Sequence, residues 1–324
     1  MQLTRTLFDL KSKRGSPPRP TVKLIGVKAN RYLTTKGFSG EVISAGSAAA
    51  YVATDEGNIL AVCPLDQQPH PRSFLTDLDL SALHAGLHTW VKGTELYFSN
   101  DMSLDLVDGE VWSRQWSGKL SAAPIPRLRS RCQDLLAAAI DLHEGENLGL
   151  ALRSFTKNNY GEITCDLPRR TSPLIHAAVE RIQGSLPIYR RGNLEAALLF
   201  LKGLIGLGHG LTPSGDDFVG GLLFMSRYLE AAYPNECWWE GGDIPAMVAN
   251  VNSMTTQISH ALLTDLSEGQ SHASLHDLAD GLITNADGFD ASGHVRRVAE
   301  IGNSSGWDML TGMIAGLLPV IYRV

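Results

Sequence analysis

The alternation of apolar and polar positions divides the chain into two textures. From about Thr21 to Trp116 the apolar runs are short and strand-like: Thr21–Val27, Ala49–Thr54, Ile59–Cys63, Thr94–Phe98 and Glu110–Ser113. Asp55-Glu-Gly-Asn58 lies between two of them and reads as a hairpin turn. The stretch predicts a small, mainly antiparallel sheet or barrel. Beyond Ser121-Ala-Ala-Pro-Ile-Pro126 the apolar residues recur at helical spacing. Helices are expected at 131–143, at 173–183 with Ser172 as N-cap and Pro173 at the first position, and at 194–205 behind Asn193. Others follow at roughly 218–232, 244–263, 275–284, 293–301 and 309–322. Residues 1–20 are polar and read as a flexible leader. The expected architecture is α+β: a leader over 1–20, a β-rich domain over 21–120 and a mainly helical domain over 121–324.

Composition narrows the function classes. A 324-residue chain with 44% hydrophobic and 19% charged residues is that of a folded protein of about two domains. A net charge of −6 argues against a general nucleic-acid or anionic-membrane binder. Cys63, Cys132, Cys165 and Cys237 are scattered, without the spacing of a zinc site or a disulfide framework. Met1–Thr6 starts no apolar signal segment, and no apolar run reaches spanning length, so a cytoplasmic location is expected.

The candidate chemistry lies in a glycine-rich loop, Gly206-Leu-Gly-His-Gly-Leu-Thr-Pro-Ser-Gly-Asp-Asp217, between two helices. Thr212 or Ser214 fits the N-cap of the second helix, and Ser214-x-x-Asp217 has capping-box spacing. Read functionally, Gly208, Gly210 and Gly215 let a ligand approach the backbone. The helix-start N–H groups, with the Thr212 and Ser214 hydroxyls, then favour an anion, and Asp216 and Asp217 hold an amino group, a metal or a proton in transit. Read as punctuation, the same residues simply start a helix well. The loop matches neither a Walker A sequence, a dinucleotide loop nor a Gly-x-Ser-x-Gly elbow.

An internal echo adds weight to the functional reading. Ser305-Gly-Trp-Asp-Met-Leu-Thr-Gly-Met-Ile314 aligns without gaps with Ser214-Gly-Asp-Asp-Phe-Val-Gly-Gly-Leu-Leu223. Asp217 corresponds to Asp308 and Gly221 to Gly312, each glycine four residues after its aspartate and on the same helical face. The expectation is that two helix starts converge on one site, with the glycines packed below. Asp216, Asp217 and Asp308 are the candidate catalytic residues. Gly208, His209, Gly210, Thr212, Ser214, Gly215, Thr256, Ser259, Ser305 and Gly306 are candidates for binding substrate. No metal ligand set or cofactor motif stands out, although Mg²⁺ is the ion an aspartate cluster would take.

Gly208-His-Gly-Leu-Thr-Pro-Ser-Gly-Asp-Asp-Phe218, together with Thr256-x-x-Ser259 and Ser305-Gly-x-Asp308, resembles the bacterial AllH family, a subunit of oxamate carbamoyltransferase. The resemblance implies a place in allantoin and purine-nitrogen breakdown. There a multisubunit enzyme moves a carbamoyl group between oxalurate and phosphate, giving oxamate and carbamoyl phosphate, with FdrA-like and AllG-like partner subunits. Two other readings stay open beside it. One is a non-catalytic ligand-binding or scaffold subunit. The other is a stand-alone phosphotransferase or hydrolase using the aspartates around Mg²⁺.

Overall fold

The structure, a computed structural model, describes residues 20–35, 37–114, 122–145, 147–156, 171–236 and 238–322. The leader expected over 1–20 lies outside the described residues except for Pro20, and the boundary expected near residue 120 lies outside them as well. So do Cys165 and Cys237. Helices and strands are segregated along the chain, as α+β requires.

The first part opens with β1 (Val22–Gly26) and a short helix, α1 (Val27–Leu33). It continues through β2 (Ser39–Ala45), β3 (Ala50–Thr54), β4 (Ile59–Pro64) and β5 (Ser73–Thr76). Then come β6 (His88–Lys92), β7 (Glu95–Phe98), β8 (Ser103–Asp105) and β9 (Glu110–Trp112). These strands form one nine-stranded sheet in the order β8-β7-β6-β2-β3-β4-β5-β1-β9. The sheet curls: a bridge between Thr21 and Asp105 brings the β8 edge back beside the start of β1.

The expected hairpin forms at Asp55–Asn58. Thr54 and Asn58 close it through Thr54 N–H to Asn58 O at 2.8 Å and Asn58 N–H to Thr54 Oγ1 at 3.0 Å. Two pairings are parallel, β4 with β5 and β1 with β9. Neither pair is joined by a turn: β5 is reached through the loop at 65–72, and β9 is the last strand laid beside the first. β4 is buried along Ile59–Cys63 because both of its faces are covered. Leu60 and Val62 enter the sheet's own core with Phe74, Leu96 and Phe98, while Ala61 and Cys63 face the helices.

The helical part comprises α2 (Ile125–Leu142), α3 (Pro173–Gly184), α4 (Leu186–Arg191), α5 (Leu194–Leu201) and α6 (Ser214–Ala232). It ends with α7 (Ile244–Asn250), α8 (Gln257–Ser267), α9 (Ala273–Ile283), α10 (Ala291–Ala299) and α11 (Ser305–Tyr322). Ser172 and Asn193 cap α3 and α5 through their side chains, as their positions predict. α5 stops at Leu201, four residues early, because the chain tightens into i→i+3 turns over 200–207. The single helix expected at 244–263 is two helices. Asn250-Val-Asn-Ser253 is poor in helix formers, and Thr256 starts α8 afresh by accepting the Ser259 N–H at 3.0 Å.

α6 and α11 cross at the centre of the helical core and are buried on nearly every side. Among the described residues, no helix is long and apolar enough to cross a membrane.

Candidate functional site

The two echoed segments start α6 and α11, and they pack against each other with near-reciprocal contacts. A Cβ on Gly221 would sit 2.0 Å from the Met309 carbonyl oxygen, and one on Gly312 would sit 1.9 Å from the Phe218 carbonyl oxygen. Each glycine therefore admits the backbone just after the other helix's aspartate. Gly215 and Gly306 repeat the relation one layer out. A Cβ on either would meet a backbone carbonyl upstream, Leu204 at 1.9 Å and Val298 at 2.1 Å. The convergence expected from the sequence is present, and the Thr212 and Ser305 hydroxyls meet across it at 3.0 Å.

The capping expectation is corrected. Pro213, which has no capping group, occupies the N-cap of α6; Ser214 is already helical and Thr212 lies outside. Several of the helix-start N–H groups are also taken. Gly215 donates to Leu207 O at 2.9 Å, and Asp216 and Asp217 donate to Pro213 O at 2.9 and 3.2 Å. At α11, Gly306 donates to Ile301 O at 2.9 Å and Asp308 to Ser304 O at 3.0 Å. These amides are not a waiting anion cradle.

The polarity of the site comes from carboxyl groups. Asp217 and Asp308 are buried, and each has an Oδ2 without a hydrogen-bond partner. Asp308 Oδ1 accepts the Leu148 N–H at 2.8 Å. Burial pushes the Asp308 acid up to about 6, against the pull of the Leu148 N–H and the Ser214 and Ser304 hydroxyls. Asp217 is driven well above the usual carboxylate range by burial and then by the charge of Asp308, and the Ser305 and Thr212 hydroxyls only partly offset this. Both acids are thus weakened, and the charge of Asp308 adds to the rise at Asp217.

Asp216 is placed differently. Its Oδ1 accepts the Gly206 N–H at 2.6 Å, and its Oδ2 accepts the Ser259 hydroxyl at 2.6 Å and the Thr255 hydroxyl. It laces the loop to α8. Thr256 adds to this by donating to Leu211 O at 2.5 Å while capping α8. Gly206, at φ +76°, fits here because a Cβ would reach the Met254 carbonyl. Gly208 packs its backbone against Ser214 N, while His209 and Gly210 are exposed at the loop tip. Thus Asp217, Asp308, Thr212, Ser214, Ser305 and Gly306 gather at the paired helix starts. Asp216, Thr256 and Ser259 brace the loop beside them.

Asp217, Thr212 and Ser305 line a cavity of about 170 Å³ between the helices and the sheet. Its other wall contains Tyr51, Cys63, His70, Arg72, Ser271 and His272. None of these was marked by the sequence motifs. Burial, with smaller contributions from Cys63 and Asp217, raises the Tyr51 phenol to about 12. Burial pushes His272 down to about 4 and holds His70 well below the usual imidazole range, so both rings are neutral. Arg72 is clamped to fully buried Asp265 through Nε at 2.6 Å and Nη2 at 2.8 Å, and Lys28 reaches the same carboxylate at 2.5 Å. A local sign of this wall is Pro69-His-Pro-Arg72, where His70 sits between two prolines and Arg72 follows the second. Among the described residues, no three His, Cys, Asp or Glu side chains form a metal-holding group.

Residues 204–317 match the family model described as oxamate carbamoyltransferase subunit AllH. The matched span carries the glycine-rich loop and both echoed helix starts, and it leaves the sheet outside. No solved structure matches the chain.

Proposed function

From a chain that is AllH-like over residues 204–317, we propose a subunit of a carbamoyltransferase complex whose ligand pocket is the cavity at the paired helix starts. The proposed reaction joins oxalurate and phosphate to oxamate and carbamoyl phosphate in allantoin breakdown, with FdrA-like and AllG-like subunits as partners. The observation that carries the reading is Asp217: a buried carboxyl group lining the pocket, with a free Oδ2 and an acidity weakened by burial and by the charge of Asp308.

In this reaction a phosphate oxygen bonds to the carbamoyl carbon, and the bond from that carbon to the oxamate nitrogen breaks. The proton of the attacking hydrogen phosphate must end on the leaving nitrogen. A neutral Asp217 is suited to the transfer, giving its proton to the nitrogen and recovering one from phosphate. Burial first, and then the negative charge of Asp308, favour the protonated form of Asp217. The Thr212 and Ser305 hydroxyls orient the carboxyl group. No activated nucleophile is needed, so transfer is direct. A ligand-binding subunit whose partners supply the chemistry is the second reading, favoured by several of the helix-start amides being spent within the fold.

The test is Asp217→Asn in the reconstituted complex. The isosteric amide should leave oxamate binding within a few-fold and lower kcat by about 10²–10⁴-fold. Unchanged turnover with intact binding would leave only the second reading.

A further inference from the structure

The wall of the pocket opposite the helix starts holds polar groups whose hydrogen-bonding capacity the fold does not use up. Arg72 is 7% exposed and lines the cavity. Its guanidinium has five N–H groups in a plane. The fork formed by Nε and Nη2 is filled by Asp265, and Nη1 makes only a long contact of 3.4 Å with Ile59 O. By the covalent geometry of the group, the end formed by Nη1 and Nη2 keeps a second pair of donors spaced for a carboxylate.

Two neighbours in the same wall are also unspent. Ser271 Oγ is buried at 1% exposure with no partner, and His272 Nδ1 has none. Arg72 and Lys28 are balanced by Asp265 and Glu268, so the attraction for an anion comes from the unspent Arg72 donors and not from a net charge.

We infer that this wall is a carboxylate subsite, in which the Nη1–Nη2 end of Arg72 and the Ser271 hydroxyl hold the acid end of a short ligand. The inference rests on the pocket reading above and deepens it. Asp217, Thr212 and Ser305 come from the helix starts, Arg72 from the edge of β5 and Ser271 and His272 from the turn before α9, and all of them line one cavity with apolar groups such as Ile59, Ala61 and Met309. A ligand that satisfies both sets of polar groups is a small acid bearing an amide. The cavity is smaller than the roughly 300–1,000 Å³ that accommodates drug-sized molecules, which restricts it to such compact acids. Asp265 is then a positioning residue: it filled the side fork of Arg72 before any ligand arrived, and so turns the remaining end into the binding edge.

The test is calorimetric titration of the full chain with oxamate, with oxamide (the same shape without a carboxylate), with inorganic phosphate and with the short acids pyruvate and glyoxylate. Arg72→Lys keeps the charge and loses the fork. The double variant Arg72→Met/Asp265→Leu removes both buried partners together and guards against a folding defect in the single change. The expected result is that Arg72→Lys weakens oxamate by about 30-fold or more and leaves oxamide within about three-fold.

Equal loss for oxamate and oxamide, or none for oxamate, overturns the subsite. So does an Arg72-dependent response to phosphate alone. If the wild-type chain binds none of the acids, the subsite is overturned as well. If pyruvate or glyoxylate binds through Arg72 while oxamate does not, the subsite stands and the oxamate reading falls.

Discussion

Asp216 and Asp217 are chemically identical neighbours with opposite surroundings. Successive residues of a helix point about 100° apart, so Asp216 meets Gly206, Thr255 and Ser259 while Asp217 meets the pocket and the charge of Asp308. The sequence shows that acidic residues start this helix, and it cannot show which one is satisfied. Satisfaction decides the titration. An unfolded aspartate titrates near 3.9. Asp308 is raised to about 6 and Asp217 is held well above the usual carboxylate range, so the folded chain retains protons that the unfolded chain has released. Their contribution to stability therefore falls as pH rises from the unfolded value of about 3.9, through about 6 for Asp308. Asp308→Asn removes one titration and the charge that raises the other. Its urea midpoint should depend less steeply on pH between 4 and 8 than that of the wild type. At pH 8 it should gain roughly 1–3 kcal/mol relative to its standing at pH 4. A slope equal to the wild type's would show that the two carboxyls do not titrate as a pair.

At the scale of elements, the crossing of α6 and α11 was the most legible part of the site, because its requirements are local. A serine-glycine start, an aspartate and a glycine one turn later can be read from either segment alone. The capping and anion-cradle expectations failed because they depend on backbone geometry: the first amides of α6 turn back onto the Leu207 and Pro213 carbonyls. The start of α1, where the Lys28 and Ala29 amides meet the Pro71 carbonyl, depends on a partner far along the chain. The crossing makes a sharp prediction. Alanine is favoured over glycine in a helix interior by about 1 kcal/mol. At Gly221 and Gly312, however, the added carbon would lie 2.0 and 1.9 Å from a backbone oxygen that no rotamer can move. Gly221→Ala and Gly312→Ala should each destabilise by about 1–3 kcal/mol or more in chemical denaturation. Gly184→Ala, at the end of α3 with nothing within 4 Å, should be neutral or slightly stabilising. Tolerance at both crossing glycines would mean that the helices are not packed backbone to backbone.

At the scale of the whole molecule, the pocket exists only because the sheet and the helices share a wall, and the groups that fasten this wall come from distant parts of the sequence. Arg72 and Asp265 are 193 residues apart, and Lys28 and Asp265 are 237 apart. No periodicity or spacing rule links such pairs, which is why the sheet-side half of the site was invisible while the helix-start half could be read. Lys28 has two acidic partners that differ sharply in setting: Asp265 is fully buried, whereas Glu268 is half exposed. Removing Asp265 strands buried Arg72 and leaves Lys28 with Glu268 alone, and Asp265→Ala should cost about 3–5 kcal/mol. Glu268→Ala removes a solvent-screened contact and should cost less than about 1 kcal/mol. Affinity for a small acid should follow the same division. Without Asp265 the Arg72 side fork is empty and its remaining donors lose their fixed direction, so binding should weaken even where the fold survives at low denaturant. Without Glu268 both stability and affinity should hold. Equal effects of the two substitutions on both quantities would mean that the cluster merely balances charge at the surface, and that the buried carboxylate does not set the geometry of the pocket.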